Sequence, residues 1–390
     1  MFSFWVKRPN RRFDPMLRFF RRTPPVNVLL LDGESLFTPK VVRSLAQNKR
    51  WRMHVLARVA WEDEQPTLAW SRHLKSFHMT EIGTDEDIYL DAIRRVVAET
   101  GAAIIVPVVE GTVRFCIRHR AALEKIARIA PVCADEAMFA TAIDKGLLGA
   151  FMARHGIPHP RTCLVSELAT AGLQYPLLVK PRRGWGGDGM VKVDTPAALR
   201  RELATRADPA DLCVQEYIEG EDRGCSVLVQ DGEIRAWTTQ RGVSRVGTYS
   251  PHTEIQMDAS KPVHDVAARL MRALNFSGIA HLDLRIDART GQPLVLEING
   301  RYWNSLWAST ATRVNFPDLS CRLALGEPLP AVKKLTGRFV QPGALRKDLL
   351  RLRPRIFRFR WNGLSMILSD PLPEAVRYVS RFWKRQPHRA

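Results

Sequence analysis

A chain of 390 residues, 45% hydrophobic and 25% charged, can build a sizeable core and reads as two or three globular units sharing a cleft. Its net charge of +19 would suit nucleic acid or a membrane surface, yet residues 1–25 carry seven Lys/Arg against Asp14 and residues 345–390 carry twelve against three acids. The body between these ends is close to neutral, so no specific nucleic-acid partner is expected.

The leader (1–25) mixes Phe4, Trp5, Phe19 and Phe20 with arginines, and its apolar stretch Phe2–Val6 is too short for the core of a signal peptide. Val26–Leu31 then reads as a buried strand ending at Asp32-Gly33. A helix near Pro39–Asn48, a strand at Met53–Val59, a helix over Asp85–Thr100 and a strand at Ala103–Val109 follow. This alternation predicts a parallel, doubly wound, Rossmann-like unit over 26–135. Ala137–His155 has helical spacing and stops at Gly156-Ile157-Pro158.

Beyond it come short strands with glycine-rich turns: Leu177–Lys180, Gly189–Val193, Leu212–Tyr217, Ser226–Val229 and Ile234–Thr239, then a helix at Val263–Leu274. They predict a second unit over 136–330, its smaller lobe about 160–220. From 331 to 390 the chain is a basic extension in which Ala375–Lys384 has the spacing of an amphipathic helix. The plainer reading docks the apolar residues of both ends on the body and leaves the arginines solvated. The other rests the ends on an anionic membrane as a peripheral contact. The six scattered cysteines form no CxxC pair and read as reduced thiols, and no apolar run approaches the ~18 residues needed to span a bilayer. A cytoplasmic location is expected.

The chemistry concentrates in His281–Asp287 and Leu294–Arg301, both alternating with period two. Leu282, Leu284 and Ile286 face one way and Asp283 and Arg285 the other; Leu294, Leu296 and Ile298 oppose Glu297, Asn299 and Arg301. A hairpin register pairing Asp283 with Glu297 sets two carboxylates opposite, which destabilises a ladder unless a cation intervenes. A hard divalent ion with oxygen ligands from Asp283, Glu297 and Asn299 would do so, and Arg301 would hold an anion beside it. The plainer alternative is a solvated edge hairpin.

Three further features precede it. Leu178-Val179-Lys180-Pro181 runs into a loop with Gly184, Gly186, Gly187 and Gly189, whose amides can turn toward a polyphosphate while Lys180 supplies charge; a mobile hairpin turn is the other reading. In Val214–Asp222, the segment Gln215, Glu216, Tyr217 and Ile218 can present backbone to an adenine edge, with Asp222 accepting from ribose hydroxyls. Taken alone it reads more readily as an acidic surface turn. Asp144-Lys145 lies within the helical stretch, where a lone lysine is ordinarily solvated.

In this order and spacing the four features resemble the ATP-grasp superfamily, whose carboxylate–amine ligases include D-alanine ligase, biotin carboxylase and carbamoyl-phosphate synthase. The resemblance covers roughly residues 136–328, and the first unit resembles the Rossmann-like domain preceding the grasp. Glu297–Ser305, with Asn315-Phe316-Pro317 and Leu325-Gly326-Glu327, is most like the carbamoyl-phosphate-synthase-like branch. The fold implied is an α/β (α+β) ATP-grasp fold.

The resemblance implies ATP and Mg2+ (or Mn2+), with Lys145 and Lys180 on the phosphates, Gly184–Gly189 closing over them, Gln215–Ile218 at adenine and Asp222 at ribose. It also implies Asp283, Glu297 and Asn299 on the metal and Arg301 facing an acylphosphate. Departures are Trp185 in the loop, Asp222 in place of a usual glutamate, and Gly300 in place of a frequent proline. The implied reaction is ADP-forming ligation of a small-molecule carboxylate and an amine, with Arg241, Arg245, Tyr302 and Trp303 as substrate contacts. A kinase or carboxylase would use the same ATP site, and nucleic-acid binding through the tails is the non-enzyme alternative. Homodimerisation stays open.

Overall fold

The structure is a computed structural model that describes residues 24–60, 66–83, 85–184, 186–247, 249–331, 334–342, 344–345 and 361–384, with backbone alone at 378 and 380–384. The basic leader up to residue 23, Trp185 and the arginine-aromatic run 351–360 lie outside these residues.

Three sheets organise the chain. The first holds β1 (Val26–Leu30), β2 (Trp51–Val59), β3 (Leu74–Glu81), β4 (Ile104–Val106) and β5 (Arg128–Ile129), all parallel in the order β3-β2-β1-β4-β5. Continuous apolar runs such as Val28–Leu31 suit strands covered on both faces, and these residues are wholly buried. At the end of β1 the Asp32 carboxylate accepts from Val108 N (3.0 Å), Val109 N (3.1 Å) and Thr112 Oγ1 (2.5 Å), tying the loops after β1 and β4 together. Burial pushes this carboxyl up to about 6.

The second sheet is a small antiparallel lobe, β6 (Thr162–Leu164), β7 (Leu177–Pro181), β8 (Val191–Val193) and β9 (Leu212–Glu216), in the order β6-β9-β7-β8. It has its own core, including Cys163, Leu177, Val179, Leu199 and Val214. The third is antiparallel: β10 (Gly220–Gln230), β11 (Glu233–Ser244), β12 (Glu254–Asp258), β13 (Gly278–Asp287), β14 (Pro293–Asn299) and β15 (Gly337–Val340), ordered β14-β13-β10-β11-β12-β15.

Two local expectations are corrected. The helical stretch 137–155 is two helices, Glu136–Ile143 and Lys145–Arg154. Asp144 is extended between them, and its side chain accepts from Gly146 N and Leu147 N (both 3.1 Å), the ordinary way an aspartate opens a helix. The β13–β14 hairpin pairs Asp283 with Glu297 as expected, but the register then slips so that Leu284 faces Val295. The bulge buries Val295 completely and turns Leu296 to the opposite face, reversing the alternation expected there.

The segment after 331 is not wholly an appendage. β15 adds an edge strand to the large sheet, with Phe339 buried. The helix Leu372–Lys384 lies against the first unit, where Arg43 Nη2 donates to Asp370 O (2.9 Å) and Ser71 Oγ to Asp370 Oδ2 (2.5 Å). Among the described residues no helix is long and apolar enough to cross a membrane.

Candidate active site

A cleft of about 380 Å³ is lined by residues of all three sheet regions. β7 carries Lys180 into it at the strand's end. This lysine is 2% exposed, its Nζ donates to Gln215 Oε1 (2.9 Å), and Gln215 Nε2 donates to Thr162 Oγ1 (2.8 Å). Burial lowers the Lys180 pKa, because the charged form loses water.

Lys145 arrives from the other side. Its backbone N–H donates to Arg182 O (3.0 Å), just past β7, which fixes the start of its helix against the lobe. Its Nζ then reaches Glu297 Oε2 (3.2 Å) and Gly184 O (3.1 Å). The break at Asp144 is therefore what aims Lys145: in an unbroken helix this side chain would be one of a solvated row.

Across the ladder from Glu297, Asp283 accepts from Asn299 Nδ2 (3.0 Å), and Arg301 Nη2 donates to Asn299 Oδ1 (3.0 Å). Burial pushes the Asp283 carboxyl up. Hydrogen bonding and charge from His281, with the proximity of Glu297 and Arg301, outweigh that and keep it below the usual carboxylate range. The Arg301 guanidinium stacks on Phe37, 4.4 Å to the ring centroid, and lies 3.9 Å from Glu110.

Glycines between β7 and β8 contribute to the cleft wall. Gly184, Gly186 and Gly187 line the cleft with φ of 114°, 79° and 79°. A β-carbon on Gly187 would stand 2.5 Å from the Tyr249 carbonyl oxygen, so this close approach requires glycine as well as its backbone angle. Gly189 does not line the cleft.

Asp222 lines the cleft but already carries three partners. Arg285 Nε donates to it (2.9 Å), Arg245 Nη1 stands 2.9 Å away, and His252 Nε2 3.4 Å. Burial opposes ionisation there, but the His252, Arg285 and Arg245 contacts draw the carboxyl down to about 2.

Among the remaining candidates, Gln215, Glu216, Ile218, Arg245 and Trp303 line the cleft. The backbone N–H of Glu216 donates to Arg161 O and that of Tyr217 to Pro176 O (both 2.9 Å), so neither is free for a ligand. Tyr217 turns its ring to Lys192, 4.6 Å from the centroid. Arg241 does not line the cleft: its neighbour Gln240 does, and alternation along β11 sends Arg241 outward to Glu221 (3.3 Å). Tyr302, 1% exposed, is packed in the core, because the chain alternates once more after Arg301.

Sequence reasoning missed Leu36, Phe37 and Lys40 of the first unit, together with His281, Leu296 and Asn304, all of which line the cleft. Nothing in a short helix start marks Lys40 as a cleft residue, since its partner Asn304 lies 264 residues away in sequence.

A family profile described as an ATP-grasp domain matches residues 142–305. The D-alanine–D-alanine ligase of Paracidovorax citrulli is 29% identical over 230 residues, 53% of this chain and 69% of that enzyme. The carbamoyl phosphate synthase arginine-specific large chain of Bacillus subtilis is 27% identical over 219 residues, 53% of this chain and 21% of that one. The chain thus spans only part of the length of these relatives. Among solved structures, an L-amino acid ligase from Bacillus licheniformis superposes with a TM-score of 0.63 at 17% identity, over 81% of this chain and 80% of that one.

Proposed function

We propose that this chain, whose residues 142–305 match an ATP-grasp domain, is an ADP-forming ligase of the ATP-grasp superfamily that activates a small-molecule carboxylate with ATP and joins it to an amine. The observation that carries the reading is the convergence of Lys145 and Lys180 from two elements on the Asp283–Glu297 pair.

The donor set fits a magnesium ion. Two carboxylates face each other across a ladder, and an amide sits between them with its N–H directed at Asp283, in the place a cation would take. Asp283, Glu297 and, after rotation of its amide, the Asn299 oxygen would hold the ion, with waters and phosphate oxygens completing its coordination. Manganese would fit the same oxygen donors. Magnesium, when bound, neutralises charge on the phosphate groups.

Lys180 and Lys145 supply fixed positive charge to the phosphate tail, and the low-dielectric setting of Lys180 strengthens that effect. The loop 184–189 screens the phosphates from water. Arg301, held by Phe37 and Asn299, faces the transferred group and offsets the charge that develops as the carboxylate is phosphorylated to an acylphosphate. No side chain is assigned as a general base. Asp222 acts at the ribose end by fixing Arg285 and Arg245 more than by contacting a hydroxyl directly.

Incubation with Mg-ATP and a panel of acids and amines, scored for ADP, phosphate and an amide product by mass spectrometry, tests the assignment, with Glu297→Gln as blank. AMP and pyrophosphate would overturn it. ADP formation that depends on bicarbonate, without an amide, would move the chain to the carboxylases.

A further inference from the structure

The end of the cleft closed by the first unit differs in charge from the rest. The cleft's carboxylates (Asp188, Glu216, Asp222, Asp283 and Glu297) all come from the second and third sheet regions. At that end Lys40 stands with the neutral groups Asn304, Ser305, Gln240 and Trp303, beside Arg301, whose charge is met by Glu110 at 3.9 Å. A site with this composition repels an ammonium-rich ligand and favours an anion.

Arg301 is spoken for by Asn299, by the Tyr302 carbonyl (2.8 Å) and by Glu110, 3.9 Å away. Lys40 is not matched in the same way. Its Nζ donates to Asn304 Oδ1 (2.8 Å) and makes a long contact with Leu36 O (3.5 Å), and among the described residues no carboxylate lies within 4 Å of it. An ammonium has three donors and a full charge. Burial, with the charges of Arg301, Arg43 and Arg377 opposed by Glu374, lowers its pKa to about 8, so near neutrality it is still mostly a cation.

We propose that Lys40, positioned by Asn304 beside Arg301, is a specificity-determining residue that binds a carboxylate of the substrates other than the one being activated. The substrate class is therefore a diacid joined to an amine, or an α-amino acid serving as the amine. This rests on the ligase reading for what the cleft does, but the binding chemistry of Lys40 is testable apart from it.

The full chain, with and without saturating Mg-ADP, is titrated by calorimetry with charged and neutral pairs: L-glutamate and L-glutamine, succinate and succinamate, L-alanine and L-alaninamide. The first two pairs report an acid donor and the third an amine acceptor. In at least one pair the charged member binds about tenfold or more tightly than its neutral partner. Lys40→Gln reduces that preference to about twofold or less, and Lys40→Arg restores part of it, with Mg-ADP affinity equal in all three proteins.

The advantage falls as pH rises through about 8 in the wild type, as Lys40 loses its proton, and stays level in Lys40→Arg. Charged and neutral members binding alike, no member binding, or a preference that survives in Lys40→Gln would each overturn the assignment. Failure of Mg-ADP to bind the wild type strikes the ligase reading instead, while the nucleotide-free titrations still decide the role of Lys40.

Discussion

Asp222 and Asp283 sit two steps apart along the same pair of strands, yet their surroundings are opposite. Asp222 on β10 pairs with Arg285 on β13, and Arg245 and His252 complete its shell. Asp283 pairs with Gly224 on one side and with the like charge of Glu297 on the other. The sheet supplies a counter-charge where structure needs one. At Asp283 it sets two acids together, with only His281 of the same strand beside Asp283 (3.5 Å) in the sheet, and the lysine that meets Glu297, Lys145, comes from a different element. A carboxylate pair left in this state is costly as scaffold and useful as a cation site.

The sharpest way to break this contrast is Glu297→Gln. ADP release falls by roughly 10²–10³-fold, the scale of losing one preorganised charge contact in a phosphoryl transfer site. Because the change also removes one of two opposed charges, stability without nucleotide shifts by less than ~1 kcal/mol in urea denaturation. A loss of stability in step with activity would make the pair structural. Lys180→Met is the next largest. Mg-ADP affinity drops by about 10- to 100-fold, the worth of a charged hydrogen bond, while the fold is no less stable because a buried cation is gone. Calorimetric titration with Mg-ADP and a melting curve read both halves.

Asp222 should behave as scaffold. Its carboxyl lies at about 2 in the folded chain against an ordinary 3.8, so its ionised form contributes ~2 kcal/mol of stability above pH 4 or so. That contribution is fully present above the unfolded value and fades as pH falls through about 2. Asp222→Asn removes it, leaving stability flatter between about pH 5 and 2 than in the wild type. A mutant curve parallel to the wild type would show that the three contacts to Asp222 carry no weight.

Much of this site was legible because its chemistry is local in sequence. The alternation in His281–Asp287 and Leu294–Arg301 gave the hairpin and its acid pair, and Lys180 before a glycine run marked the side of the cleft proposed for the phosphates. What stayed hidden depends on long-range packing or on one-residue slips. Lys40 enters the site only because the first unit folds over Asn304, and Arg241 loses its place because β11 alternates the other way. Asp144 has an aspartate's capping chemistry, but the continuous helical spacing around it concealed the break that aims Lys145. The same limit applies to the bulge in β14, which no period-two pattern can announce.

That bulge yields the smallest and most discriminating expectation. Strict alternation would put Leu296 in the core and Val295 on the cleft; the slipped register buries Val295 and exposes Leu296 to the cleft, where Leu178 and Ile218 also stand. Val295→Ala should therefore cost the fold ~2 kcal/mol through lost burial and a cavity, with nucleotide affinity nearly intact. Leu296→Ala should leave global stability almost unchanged and weaken Mg-ADP binding by only about three- to tenfold, through lost apolar contact. Urea denaturation and calorimetry on the two single mutants separate the registers. If Leu296→Ala unfolds the chain more easily than Val295→Ala, the slip is not there, and the apolar wall of the nucleotide site must be built from other residues.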